Sequence, residues 1–460
     1  MSTASPAQIA ATLCARVGLN DAATLGVAGT EPALPSSFRV DAAAAASIGA
    51  AALAAEATWR HRTGAGQGVS IDIRHAAAEF RSERYLRVAG QEPKEIWDPI
   101  AGAYSTADGW VRLHTNFPHH RDGILKLLGC ANTKEDVAAA LRRRKAEAFE
   151  TEAWKAGMCV SAYRSFAQWD ANPHAQALSG IPPVRLERLR DAAPIPFAPN
   201  PTRPLDGVRV LDLTRVIAGP VAGRTLAAHG AEVLYVASPN VPNLPALIAD
   251  TGRGKRACAI DLETEQGRAQ LRALVEQADI FLQSYRPGAL ARHGFGPAQV
   301  AAMRPGIVVA TLSAYGDTGP WAGKRGFDSL VQTSTGFNHA EAEAAGARGP
   351  KVLPCQALDH ASGYLLALGA MAARLRQARE GGSWKVSVAL ATTGHWLRSL
   401  GRIDGLAAPD QDLAAVQDLL EPSSFGPTPT TALRHAAQLS ATPARWSRGA
   451  SELGQDQPVW

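Results

Sequence analysis

The chain lacks the short signatures that would assign its chemistry at a glance. Its five cysteines, Cys14, Cys130, Cys159, Cys258 and Cys355, are odd in number and none has the paired spacing of a zinc or redox site. They read as reduced thiols, and no metal site is expected. No Gly-x-Ser-x-Gly elbow and no Walker A loop occurs, which removes the common hydrolase and nucleotide triphosphatase templates. The opening "MSTASPAQIAATLCARVGL" has no basic stretch leading into an apolar one, and no uninterrupted apolar run reaches the length of a membrane span. The nearest approach, "AAAAASIGAAALAAEATW", contains Glu56, soon meets Arg60, and reads as a buried or half-buried helix. A cytoplasmic protein without a membrane partner is the expectation. Basic stripes are also missing: 47 Lys and Arg are scattered among 42 Asp and Glu, which argues against nucleic acid and for a small anionic ligand.

What is present is length and order. A chain of 460 residues can build two or three domains with real cores. "APIPFAPNPTRP", residues 193–204, holds five prolines and reads as an extended linker. It separates an N-terminal part, 1–192, from a main domain, 205–400, which a tail, 401–460, follows. After the linker, "GVRVLDLTRVIAGPVAGRTLAAHGAEVLYV" gives strand, turn, helix and strand. "TEQGRAQLRALVEQA", "DIFLQSY", "GPAQVAAM" and "GIVVATLSAYG" continue the alternation. The series predicts an α/β fold with a doubly wound, Rossmann-like parallel sheet. Ligands in such sheets sit beyond the carboxyl ends of the strands, so the loops starting at Val216, Ser284 and Ala314 are the places to look. The turn "VIAGPVAG" lacks the spacing of the dinucleotide fingerprint.

Residues 41–74 and 359–391 repeat an order of features: Asp, small-residue helix, basic last turn, glycines, short alternating strand. Each copy carries an acid near the helix head, Asp41 or Asp359. An Asp there is a natural N-cap. It is also a carboxylate that the helix dipole would keep ionised near neutral pH, as covalent catalysis on an acyl group requires. His360 and His339 are candidate acid/base partners, His339 only if the intervening loop folds back.

Four ordered blocks carry a resemblance to a known family: "PLDGVRVLDLTRVIAGPVAGRTLAAHGAEVLYV", "GRGKRACAIDLETEQGRAQLRALVEQADIFLQSYRPGALARHGFG", "GIVVATLSAYGDTGPWAGKRGFDSL" and "QALDHASGYLLALGAMAA". Over about two hundred residues, 205–400 in the main, the chain resembles the class III (CaiB/BaiF) CoA-transferases. The resemblance implies that Asp359 is the catalytic nucleophile, which attacks an acyl-CoA thioester and passes through an aspartyl-CoA thioester to a carboxylic acid acceptor. It implies that Val216 and Ala218 lie along the pantetheine arm, that Lys255 and Tyr285 lie near CoA, and that Arg292 binds phosphate. Arg325 and Asp328 match a basic and an acidic position near the active site. CoA enters as a substrate, no cofactor is tightly bound, and a homodimer is implied.

Two positions depart from the pattern. Ile217 stands where family transferases often have a Gln that holds the reacting acyl oxygen, and Ser238 where some have an Arg. "GFDSL" has Phe327 where an α-methylacyl-CoA racemase, the alternative on this fold, would have a His. Ile217 also motivates a third reading, a non-catalytic acyl-CoA binder. The N-terminal part resembles the family out of order: "TGAGQGVSIDIRHAAAEF" looks like the strand after the catalytic helix, and "AGAYSTADGWVRLHTNFPHHRDGILKLLG" like the family's smaller α+β domain. The order of parts therefore looks permuted or partly duplicated. Of the two acids, Asp359 is favoured because its neighbours match, whereas those of Asp41 are plain Ala.

Overall fold

The computed structural model describes residues 4–93 and 97–460. The main domain is a seven-stranded sheet built by the predicted alternation. Its elements run β7 (Arg209–Leu213), α4 (Ala218–Ala228), β8 (Glu232–Ala237), β9 (Lys255–Ala259), α5 (Glu265–Val275), β10 (Ile280–Gln283), α6 (Pro297–Met303), β11 (Val308–Ser313), α7 (Asp328–Ser334), α8 (Ala357–Glu380), β12 (Ser383–Ala389) and α9 (Leu390–Ser399). Strand order is β9-β8-β7-β10-β11-β12, all parallel, with one further strand beyond β12. The order turns back between β7 and β10, the topological switch point where such sheets bind ligands. The last strand, β6 (Arg185–Arg190), precedes the proline linker in sequence and joins β12 antiparallel, so the sheet is closed by the N-terminal part.

The N-terminal part contributes β1 (Leu25–Ala28), α1 (Val40–Thr63), β2 (Val69–Asp72), α2 (Ile73–Glu79) and α3 (Ser82–Tyr85). A smaller unit follows, with the antiparallel sheet β3 (Gly102–Ser105), β4 (Trp110–Leu113) and β5 (Val160–Ala162) and its own core of Ile100, Val111, Leu113, Ile124, Val137, Leu141 and Phe149. In the tail, β13 (Gln438–Leu439) pairs antiparallel with β2, and β1 pairs parallel with it on the other side.

The two long helices α1 and α8 pack on each other more extensively than any other pair of elements. Long apolar α1 has the length and composition of a membrane span, yet Val40 to Thr58 are buried inside this fold. Alanine permits that burial, since a small side chain lets a neighbouring backbone approach closely. Gly363 on α8 shows the same device. A Cβ there would sit 2.5 Å from the Ala218 carbonyl oxygen and 2.7 Å from Val221 Cβ, so only glycine lets the first turn of α4 lie against α8.

Candidate active site

Asp359 heads α8 but does not cap it. The N-cap is Gln356, which makes no side-chain cap hydrogen bond. The cap comes from Asp328 at the start of α7, whose Oδ2 accepts the Asp359 N–H at 2.9 Å. Gln332, one turn along α7, donates to Asp328 and to the Cys355 carbonyl (3.1 Å), and its Oε1 accepts the Leu353 N–H (3.1 Å). The chain entering α8 is thereby fixed by α7, and the Asp359 side chain is released from capping. It accepts no hydrogen bond from the described residues and instead lines a cavity of about 280 Å³.

That cavity gathers residues from distant parts of the chain. Val216, Ile217, Leu244, Leu247, Phe327, Asp328, Gln356 and Asp359 come from the main domain; Glu83, Arg84, Pro93, Trp97, His114 and Asn116 come from the N-terminal part. Val216 has φ +71°, a left-handed backbone that β-branched residues rarely adopt, on the turn between β7 and α4. Ile217 is the N-cap of α4 and supplies no side-chain cap, so the first-turn N–H groups of α4 are left without a side-chain acceptor.

Electrostatics correct one expectation. Asp359 is not held ionised by its helix: burial, then Asp328, then Glu83 push its pKa well above the usual carboxylate value. Burial likewise raises Asp328 to about 6, against the backbone N–H of Asp359, Gln332 and the Leu358 N–H. The two acids titrate as a pair. Glu83 behaves differently. Burial disfavours its charge, but the hydrogen bond from His360 (Nε2 to Oε2, 3.1 Å) holds it below the usual range. His360 is thus committed to Glu83 and stacks on Phe80. His339 pairs with Glu343 at 3.1 Å and lies outside the cavity lining.

The other sequence-predicted residues separate. Val216 and Asp328 line the cavity with Asp359. Ala218 is buried at the first position of α4, its carbonyl against Gly363. Lys255 lines a small cavity with Arg215 and Val216, while its ammonium is buried and bonded to Asp212 Oδ2 and the Pro220 carbonyl at 2.8 Å each, bracing the turn from beneath. Tyr285 lines a different cavity, of about 220 Å³, beyond the ends of β10 to β12. Arg292 is exposed, pairs with Glu263 at 3.2 Å and lies outside the lining of the Asp359 cavity. Arg325 lies 3.5 Å from His120 Nε2.

Sequence reasoning named Arg325 but missed Arg215 and Arg286, with which folding assembles it into a basic cluster. Arg215 lies over the Phe117 ring at 5.3 Å. Burial, His119, Arg325 and Arg215 bring His120 down to about 3. Arg286, also depressed by burial and by Arg325, completes the group. Among the described residues, Arg215, Arg286 and Arg325 have no acidic partner within 4 Å. They stand on the loops after β7, after β10 and before α7, around the switch point. The "YR" at 285–286 directly after a strand was the available signal. His114 was missed as well: its ring stacks on Phe327 at 3.7 Å, its Nδ1 is buried without a partner, and burial keeps it neutral.

With this geometry in place, comparison with known proteins is informative. Residues 4–203 and 205–412 match the family model described as CoA-transferase family III. The probable fatty acyl-CoA transferase Rv3272 of Mycobacterium tuberculosis is 37% identical over 204 residues, 42% of this chain and 51% of that protein. The acetyl-coenzyme A transferase nodX of Hypoxylon pulicicidum is 31% identical over 334 residues, 66% of this chain and 55% of that protein. The succinate–glutarate CoA-transferase of Agrobacterium fabrum is 34% identical over 166 residues, 32% of this chain and 42% of that protein. A crystal structure of Rv3272 aligns with TM-score 0.41 at 36% identity, over 43% of this chain and 58% of that one. The chain spans about half the length of these curated relatives.

Proposed function

The chain belongs to CoA-transferase family III, and from that premise we propose that it moves CoA from an acyl-CoA donor to a carboxylic acid through covalent attachment at Asp359. The observation that carries the reading is the position of the Asp359 carboxylate, freed from capping by Asp328 and facing a cavity beside the switch point of the sheet. An ionised Asp359 oxygen bonds to the donor's thioester carbon, the C–S bond breaks, and CoA leaves as thiolate. The thiolate then attacks the Asp359 carbonyl carbon of the mixed anhydride and expels the donor carboxylate, leaving an aspartyl-CoA thioester. An acceptor carboxylate attacks that thioester, and the released thiolate takes the acceptor's acyl carbon, which restores Asp359. The thioester's free energy survives only if water is kept out while the enzyme is acylated, and the buried position of Asp359 itself suits that need.

The uncapped N–H groups at the head of α4 serve where Ile217 cannot, as donors to the developing oxyanion. Arg215, Arg286 and Arg325 form the anion site for the CoA phosphates, in place of Arg292 and Lys255. Arg84, exposed at the cavity and without an acidic partner among the described residues, favours an acceptor that bears a second carboxylate. The test is mass spectrometry of the chain incubated with acyl-CoA and quenched with hydroxylamine: Asp359 should carry the hydroxamate. An unmodified Asp359 under turnover would refute the mechanism.

His114 gives the racemase alternative a specific footing, because it brings an imidazole against Phe327, where that histidine is absent. Exchange of the acyl α-proton with deuterated water, lost in His114→Phe, would favour it. Transfer without exchange is the expected result.

A further inference from the structure

The repeat seen in the sequence is a structural duplication. A single offset of 317 residues aligns the N-caps Arg39 and Gln356, the C-caps Gly64 and Gly381, and the strand-to-helix steps Asp72–Ile73 and Ala389–Leu390. The N-caps share backbone angles, φ −78°, ψ 57° against φ −77°, ψ 63°, and both helices run 24 residues. Strand pairing matches too: β1 lies parallel to β2 as β11 does to β12. Each copy then receives an antiparallel strand from a distant segment, β13 onto β2 and β6 onto β12. Even the borrowed cap is repeated, since the Ala42 N–H donates to Glu31 Oε1 at 3.2 Å as the Asp359 N–H donates to Asp328 at 2.9 Å.

In this register the residue opposite Asp359 is Ala42, and Asp41 falls opposite Leu358. Asp41 therefore does not occupy the nucleophile's position. Its Oδ2 instead accepts the N–H groups of Ala33 (2.6 Å) and Leu34 (3.3 Å), holding the preceding loop. Ala42 is fully buried.

We propose that residues 25–79 are a copy of the catalytic unit that has lost its nucleophile and now serves the surviving site from within the same chain, so that one chain forms one complete active site. The segments that follow this copy supply Glu83, Arg84, Trp97, His114 and Asn116 to the Asp359 cavity. The interface between the two copies, α1 on α8, lies inside the molecule. Among the described residues the large apolar side chains that stand most exposed are Val352 and Val459, which belong to separate segments. This replaces the homodimer implied by family resemblance with a two-lobed single chain. The assignment of Asp359 as nucleophile rests on the function proposed above; the duplication and the single-chain site do not.

Three measurements separate the outcomes. Sedimentation of the full chain at nanomolar concentration should give one chain of 48.3 kDa with undiminished specific activity. An obligate dimer at that dilution would overturn the proposal whether or not transfer is seen. Co-expression of Asp359→Ala with Trp97→Ala/His114→Phe should give no more transfer than the sum of the two parents, whereas activity well above that sum would show sites shared between chains and overturn it. Acyl-CoA labelling should place one adduct per chain, and an adduct within residues 40–62 would also overturn it. A monomer that binds one CoA per chain without transfer would sink the proposed function and leave this inference standing.

Discussion

Asp328→Asn separates the two things Asp328 does. Its Oδ2 caps α8, and its charge opposes the ionisation of Asp359. An amide oxygen can still accept the Asp359 N–H, so the helix keeps its borrowed cap. The amide nitrogen, however, faces the Gln332 Nε2 donor, and Gln332 cannot flip without losing both the Leu353 and Cys355 bonds. The lost bond costs about 1 kcal/mol of stability. Two like charges at an effective dielectric of ~20 repel by about 4 kcal/mol at ~4 Å, so removing the Asp328 charge eases the ionisation of Asp359 that burial and that charge oppose. Because Asp328 itself titrates at about 6, the full repulsion acts only above that pH.

The nucleophile is the ionised form, so in the wild type adduct formation rises with pH as the pair loses its protons. Asp328→Asn should move that rising limb toward acid. The assay is single-turnover formation of the hydroxylamine-sensitive adduct from about pH 5 to 9, spanning the carboxylate and imidazole ranges. A limb that stays in place, or moves toward alkali, would refute the account of Asp359 as a carboxylate restrained by its neighbour.

Other outcomes follow from the same geometry. Asp359→Asn should abolish transfer yet raise the melting temperature. A carboxyl whose folded pKa is raised contributes most below its unfolded pKa and loses that contribution as pH rises through the folded one, so the gain should be larger at pH 8 than at pH 5. Val216→Gly relieves a left-handed valine but frees the unfolded chain, for a net change between zero and about 1 kcal/mol in favour of folding, read by denaturant titration. Arg286→Ala and Arg325→Ala should each weaken CoA binding about tenfold, the loss of one charge-assisted contact, with Arg292→Ala within twofold, by calorimetry. Gly363→Ala should destabilise by about 2 kcal/mol or more, because the added methyl meets the Ala218 carbonyl and Val221.

Local pattern carried the fold a long way. Strand and helix alternation from Arg209 to Ser313 is set by residues close in sequence, and the doubly wound sheet was legible from them. Strand β6 was not, because its place at the sheet edge depends on β12, nearly two hundred residues later. The same distinction sorts the site. Asp359 announced itself by its place at the head of a repeated helix, but its ionisation could not be read from that place. The dipole argument considers one helix, whereas burial, and then Asp328 and Glu83 arriving from other elements, reverse its sign. Lys255 and Arg292 matched by position, yet Lys255 is buried against Asp212 and Arg292 stands in an exposed pair with Glu263, away from the Asp359 cavity lining. Arg215, Arg286 and Arg325, scattered over more than one hundred residues, converge only when the loops around the switch point close up.

Duplication explains why the sequence order looked rearranged. Each copy completes its sheet with a strand from elsewhere in the chain, so parts that are consecutive in space are interleaved in sequence. What distinguishes the copies is small: one residue of register at the helix head, with Ala42 in the acid's place and Asp41 turned to hold a loop. The borrowed cap survives on both sides, which means the helix-head geometry is sustained by folding alone and does not require catalysis. The nucleophile is the element free to be lost. A copy kept after that loss must therefore be held by what it supplies to its neighbour, and here that is packing for α8, which leaves the segments after the copy in place to wall the Asp359 cavity.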